Sequence, residues 1–300
     1  MSSFTLETEH GLISITDTAL KNDAPALLLI HGNSSSSRIF YHIFASPNIT
    51  ERFRIVAFDL PGHGSSSKAP DPDKSYHQRG YAHLAVHILQ HLNIDSVIIL
   101  GWSLGGHIGI EMIELLKSPS TYTNSKKIDL HGLMITGTPP ALGREQIRQG
   151  FVMATQNGEL GLAGQRDWTD IETMAFSKNS AAAGIDKFWE PWMYEDAKNT
   201  DGRARMIMAR NFVGDGDEGP IGVDQRRVVE TEDVLIAVVN GEQEQFVNLV
   251  YLDGIKWKKL WKGKCIRLEG LHHAPFWEAS HDFEKVLLEF CTDCGDKREV

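Results

Sequence analysis

Ser96-Val-Ile-Ile-Leu100-Gly101-Trp102-Ser103-Leu104-Gly105-Gly106-His107-Ile-Gly-Ile-Glu-Met-Ile113 is the stretch on which the reading of this chain turns. An apolar run leads into Gly-x-Ser-x-Gly, and a helix-like run follows it. A serine between glycines is common in turns, and the plainer reading is a Gly-rich turn with a helix-capping serine. A strand before and a helix after favour something sharper. The turn between them is too tight for side chains on either flank, so glycines sit there and Ser103 is pushed outward as a nucleophile.

Working outward, short apolar runs punctuate the chain: Ala26 to Ile30, Arg54 to Phe58, Val97 to Leu100 and Leu133 to Thr136. Being apolar throughout, they read as central parallel strands covered on both faces. Helix-like stretches, notably Tyr81 to Leu92 and His107 to Leu116, separate several of them, which predicts an α/β fold. Alternation on either side of Gly11, over Phe4 to Thr8 and Leu12 to Thr16, predicts a hairpin. Val234 to Val239 and Cys265 to Leu268 supply two late strands. About a hundred residues without a clear strand separate Leu133 from Val234. Residues 1–140 and 230–300 are therefore assigned to the core, and 141–229 to a mostly helical cap. The cap carries many large apolar side chains, among them Phe151, Met153, Trp168, Phe176, Met208 and Phe212. Most would pack among the cap helices, but a cap must also roof a pocket, and such residues suit an acyl chain. Phe212 to Pro220, rich in Gly and Asp, reads as a loop without the spacing of a calcium site. Pro119 to Lys127 reads as a surface loop.

Composition narrows the partners. A net charge of −10 argues against nucleic acid or an anionic membrane as a partner. With three cysteines, no disulfide framework is implied, and Cys291-Thr-Asp-Cys294 lacks a second ligand pair for a metal. The first ten residues do not read as a signal peptide, and no apolar run approaches a membrane span. The expected setting is cytoplasmic.

A serine hydroxyl needs a base, usually histidine, itself held by a carboxylate. In sites of this kind the chain order is Ser, acid, His. After the last strand stands Glu269-Gly-Leu-His272-His273-Ala-Pro-Phe276. Two adjacent histidines leave the base ambiguous, since neighbours point in different directions and only one can face Ser103. After the strand ending Asn240-Gly241, Glu242 and Glu244 are candidate acids; Glu244 stands three residues past Gly241, where many such enzymes read G-x-x-D. The oxyanion of the tetrahedral intermediate needs donors. One is the backbone N–H of Leu104. The other is expected in the loop His31-Gly32-Asn33-Ser34, from Asn33, whose side-chain amide could also bind a substrate carbonyl. Trp102 and Phe276 are further candidates for substrate contact. No metal or cofactor is called for. Asp59-Leu-Pro-Gly-His-Gly64 reads as a structural turn.

Together these segments resemble the α/β-hydrolase superfamily, and within it the metal-independent α/β-hydrolase N-acylhomoserine lactonases. The likeness extends to Gly132-Leu-Met-Ile-Thr-Gly-Thr-Pro-Pro140, Asp201-Gly-Arg-Ala-Arg205, Ala237-Val-Val-Asn-Gly241 and His273-Ala-Pro-Phe276. The resemblance implies an α/β-hydrolase fold, a mostly parallel sheet flanked by helices with a helical cap insertion. It implies Ser103 as nucleophile, Glu244 as acid and His273 as base, because the family histidine directly precedes Ala-Pro-Phe. It further implies opening of the lactone ring of N-acylhomoserine lactones, which silences a bacterial signal. The alternatives are a general carboxylesterase, thioesterase or amidase using the same triad, or a ligand receptor that keeps a hydrolase pocket. Discrimination rests on turnover and on product mass.

Overall fold

The computed structural model describes residues 2–117, 127–152, 154, 160–215 and 219–295. Met153, residues 119–126 of the expected surface loop and residues 216–218 of the Gly- and Asp-rich loop lie outside them.

Eight strands form one sheet, in the order β1-β2-β4-β3-β5-β6-β7-β8. β1 (Ser2–Thr8) and β2 (Gly11–Asp17) make the expected hairpin, with Thr8 opposite Gly11, and β2 runs antiparallel to β4 (Ile55–Phe58). From β4 onward the pairing is parallel, through β3 (Ala26–Ile30), β5 (Ser96–Trp102), β6 (Asp129–Thr136), β7 (Ile236–Gly241) and β8 (Ile266–Leu268). Successive side chains of β3 serve opposite layers. Leu28 and Ile30 join one buried cluster with Leu84 and Ile88 of α1 (Gln78–His91) and Ile108 and Met112 of α2 (Leu104–Lys117). Leu27 and Leu29 join another with Trp102 and with Phe283, Leu287 and Phe290 near the C-terminus. That period of two, buried on both sides, is why β3 reads as continuously apolar.

Between β6 and β7 the described chain is helical: α3 (Gly143–Gly150), α4 (Asp170–Ser180), α5 (Pro191–Asn199), α6 (Gly202–Val213) and α7 (Gln225–Thr231). Thr169 and Glu172 form a reciprocal capping box at the start of α4. The Asp201 to Arg205 segment fastens these helices to the core. The Asp201 N–H donates to Gly62 O at 2.8 Å, and Tyr76 Oη donates to Asp201 Oδ2 at 3.0 Å. Arg205 is buried, stacked 3.7 Å over Trp168, and donates to the carbonyls of Gln165 and Arg166. Burial pulls its pKa down to about 10.

The last helix, α8 (Ser280–Gly295), turns Cys291 and Cys294 inward. Both are free thiols, and burial pushes Cys291 up to about 12, so the C-x-x-C spacing is a packing feature. No helix among the described residues is long and apolar enough to cross a membrane.

Candidate active site

The C-terminal ends of β3, β5, β6 and β7 lie side by side, Ile30 opposite Gly101 and Trp102 opposite Thr136. That edge is where open parallel sheets place ligands. Ser103 follows β5 directly, at φ 54°, in the left-handed region that a non-glycine residue rarely occupies. Such strain costs about 1–3 kcal/mol and must be held by its surroundings. Ser103 N donates to Thr136 O at 2.9 Å, and Thr138 Oγ1 donates to Ser103 O at 2.8 Å. The flanking glycines are steric necessities. A Cβ on Gly101 would lie 2.4 Å from Gly105 O, and one on Gly105 would lie 2.0 Å from Ile30 O. Leu104 opens α2, so its N–H is among the helix-start donors that have no intrahelical partner, at the positive end of the helix dipole.

The loop after β3 lies against this turn. A Cβ on Gly32 would stand 3.2 Å from Ser103 Cβ and 2.9 Å from the Trp102 ring. His31 pins the loop: Leu60 N donates to its Nε2 at 3.0 Å, which leaves Nδ1 to donate to Gly32 O at 2.7 Å. Burial lowers its pKa. Asn33 faces the cavity, but its side chain departs from expectation. Its Nδ2 donates to Ala163 O at 2.9 Å, so the amide latches the roof to the core and does not wait for a substrate carbonyl.

The two histidines are each paired with a glutamate. His273 Nδ1 lies 2.7 Å from Glu244 Oε2, and both side chains are almost entirely buried. Glu244 Oε1 also accepts from Phe246 N at 2.8 Å. The His273 ring sits against Gly137, where a Cβ would come within 2.4 Å of it, and packs near Trp102 and Phe246. His272 points elsewhere: its Nδ1 lies 2.9 Å from Oε2 of the buried Glu278, which also accepts from His272 N and Ala274 N. Glu242 is exposed. The geometry thus brings His273, Glu244 and Ser103 to one place and leaves His272 and Glu242 outside it. Ser103 and His273 line the same cavity without a hydrogen bond between them, a contact that characteristically tightens when substrate binds.

The cavity opens to solvent and, counted with the solvent space at its mouth, spans about 670 Å³; its walls are largely apolar. Trp102, Leu104 and His273 come from the core; Phe151, Phe176, Met208 and Phe212 come from the segment expected to be a cap. Trp102 also holds the histidine, its Nε1 donating to His273 O at 3.0 Å. Phe276 is corrected. It is buried behind the site, packed against Phe40, Trp102 and Phe283, and is not among the lining residues. Its position beside the His273 motif does not reveal this, because it sits in a short helix, Pro275–Glu278, whose turn directs it into the core.

Two lining residues with buried polar side chains were missed from sequence. His107, on α2 as expected, reaches the cavity, with Nδ1 2.7 Å from Gln225 Oε1. Burial lowers its pKa to about 4, so it is neutral near pH 7. Its place one turn past Ser103 was the available signal. Gln78 is the other, and no sequence feature marked it. Among the described residues, no group of three or more His, Cys, Asp or Glu side chains could hold a metal ion.

A half-buried elbow serine, a histidine held by a carboxylate, and a helix start facing them on a mostly parallel sheet define an α/β hydrolase. The family model for the alpha/beta hydrolase fold matches residues 25–121. Comparison with solved structures goes further. N-acyl homoserine lactonase AidH, complexed with N-butanoyl homoserine, is 38% identical over 100% of both chains, with a TM-score of 0.86. A serine-to-glycine variant of AidH, complexed with N-hexanoyl homoserine lactone, is 37% identical over 98% of each chain, with a TM-score of 0.84. The chain therefore belongs to the α/β-hydrolase family, with the N-acyl homoserine lactonase AidH as a full-length relative. Curated relatives match only in part. An uncharacterized protein of Mycobacterium tuberculosis is 36% identical over 92 residues, 31% of this chain and 26% of that protein.

Proposed function

We propose that this chain opens the ester ring of N-acylhomoserine lactones. The observation that carries the proposal is the buried 2.7 Å Glu244–His273 contact beside Ser103, in a cavity walled by apolar side chains. The full-length likeness to a lactonase holding N-butanoyl homoserine supports the choice of substrate.

In this reading Ser103 attacks the lactone carbonyl while His273 Nε2 takes its proton. Glu244 fixes the ring with Nδ1–H toward the carboxylate and stabilises the imidazolium that forms. The backbone N–H groups of Asn33 and Leu104 hold the oxyanion, donors already in place before charge develops. His273 then protonates the departing ring oxygen and activates water for deacylation. The leaving alcohol stays tethered to the acyl group, so re-closure competes with hydrolysis. Residues 141–229 act as the cap, with Phe176, Met208 and Phe212 over the acyl chain.

The ring ester, not the amide, is the expected target. Its carbonyl is less resonance-stabilised, and its leaving group is an alkoxide that His273 can protonate. Mass spectrometry of a lactone panel tests this. The expected product is heavier by one water, retains the acyl-amide and re-forms the lactone on acidification. Free homoserine lactone with fatty acid would show an acylase. Cleavage of aryl esters with no lactone turnover would leave a general esterase.

A further inference from the structure

His107 brings an unpaired nitrogen to the cavity. It lies on α2 one turn past Ser103, lines the cavity and is only 3% exposed. Its ring packs on Phe212 at 4.7 Å and on Phe151 at 5.9 Å between centroids, both walls of the cavity. Nδ1 is occupied, 2.7 Å from Gln225 Oε1. Two further contacts fix which way that carboxamide points. Ala141 N donates to Oε1 at 3.4 Å, and Gln225 Nε2 donates to His107 O at 3.5 Å. Oε1 is therefore the acceptor, and His107 Nδ1 carries the proton that reaches it. Burial keeps the ring neutral, its pKa lowered to about 4. A neutral imidazole with its proton on Nδ1 has only a lone pair at Nε2. Among the described residues, none donates a hydrogen bond to that lone pair. Buried polar groups are paired in nearly all native proteins, so this acceptor points to a donor that arrives with the ligand.

The chemistry of that donor follows from the lone pair and from its place. A hydroxyl supplies a proton. A ketone oxygen is itself only an acceptor, and a methylene supplies nothing, so either one leaves Nε2 desolvated and unpaired. In the proposed reaction the scissile carbonyl sits at Ser103 and the acyl chain under Phe212, against which the His107 ring packs. His107 stands roughly 6 Å from Ser103 along the helix axis. The third carbon of the acyl chain lies at a comparable reach from the scissile carbonyl.

We propose that His107 Nε2 accepts a hydrogen bond from a hydroxyl on the third acyl carbon, so that the protein selects 3-hydroxyacyl homoserine lactones over their 3-oxo counterparts. This deepens the lactonase reading and rests on it for the pose of the substrate. A competing role for Nε2 is to hold a water, or the amide N–H that every such lactone carries. His107 would then not distinguish acyl chains.

Two lactones of one chain length separate these roles, N-(3-hydroxyoctanoyl) and N-(3-oxooctanoyl) homoserine lactone. The hydroxyl compound is assayed as single enantiomers and the better one is scored. Binding is measured by calorimetry on Ser103→Ala, and kcat/KM on the wild type. Both are expected to favour the hydroxyl compound at least ~10-fold, a comparison that needs no variant at His107. His107→Asn keeps an amide nitrogen for Gln225 Oε1 and removes the Nε2 acceptor. Its preference is expected to fall to within ~2-fold. Parity in the wild type, or a preference for the oxo compound, overturns the proposal, as does a His107→Asn preference equal to the wild type's. Turnover of both lactones without the preference removes this proposal and leaves the lactonase reading standing. Preferential binding of the hydroxyl compound to Ser103→Ala, with no turnover by the wild type, removes the lactonase reading and keeps the His107 assignment. Binding of neither lactone removes both.

Discussion

The floor and the roof of the cavity are built by different means. Floor residues stand close to strand ends: Ser103 directly after β5, Asn33 shortly after β3, Glu244 after β7 and His273 after β8. Sheet register fixes where those ends lie, so a few residues of local geometry suffice to bring the side chains together. The roof has no such frame. Phe151, Phe176, Met208 and Phe212 come from separate segments, and their placement rests on contacts such as Arg205 on Trp168 and Asp201 on Gly62. In the proposed function the floor sets the chemistry and the roof sets the preference for acyl-chain length, so mutations should sort accordingly.

The sharpest division lies within the floor, between the paired histidines. Ser103→Ala should lower kcat by at least ~10³-fold, leaving residual oxyanion-hole catalysis. His273→Ala should cost nearly as much, while His272→Ala, whose partner is Glu278, should stay within ~3-fold. Glu244→Gln should lose ~10²- to 10⁴-fold, by analogy with a triad acid made neutral, with exposed Glu242→Gln as its control. Steady-state kinetics on one substrate checks all of these. Exchanged behaviour of the two histidine variants would break the assignment of the base.

This division also explains what was legible in the sequence. The elbow could be read because its glycines answer to local sterics, and the strands because both faces are buried. His273 and Glu244 could be narrowed to pairs of candidates, but the choice lies in side-chain direction, which loops do not encode by period. The Asn33–Ala163 latch joins positions far apart in the chain and leaves no local trace. Gln78 was hidden because α1 starts with a histidine cap and a glycine in its first turn, so its periodic pattern begins only at Tyr81. Phe276 was misplaced because position beside a motif says nothing about which side of Trp102 a ring will occupy.

A smaller effect is expected in the roof. Phe176 is half-buried, lines the cavity and stacks on Trp168 at 4.6 Å between ring centroids. Phe176→Ala should change the ratio of kcat/KM for hexanoyl over butanoyl homoserine lactone by up to ~10-fold, given ~0.8 kcal/mol per buried methylene. A large fall in kcat with that ratio unchanged would place Phe176 with the floor and undo the division.

The smallest effect concerns the seam between the two. Ser36, in the floor loop, donates to Asp196 Oδ2 on α5 at 2.5 Å. Burial pushes the Asp196 carboxyl up to about 6 from its ordinary 3.8, with Asp59 adding to the shift and the Ser36 bond opposing it. The folded chain therefore holds this proton more tightly than the unfolded one does. The contribution to stability is fully present below pH 3.8 and is lost as pH rises through about 6, above which an ionised carboxylate sits in the seam. A shift of this size corresponds to ~3 kcal/mol before the group's partial exposure is counted, and ~1–2 kcal/mol after. Asp196→Asn keeps an acceptor for Ser36 and removes the charge. It should stabilise the protein by that ~1–2 kcal/mol at pH 8, with the gain shrinking toward zero near pH 4. Urea titrations of both proteins at the two pH values measure the difference. A gain at pH 4 equal to that at pH 8 would show that the roof is fastened by packing alone, with no titrating contact in the seam.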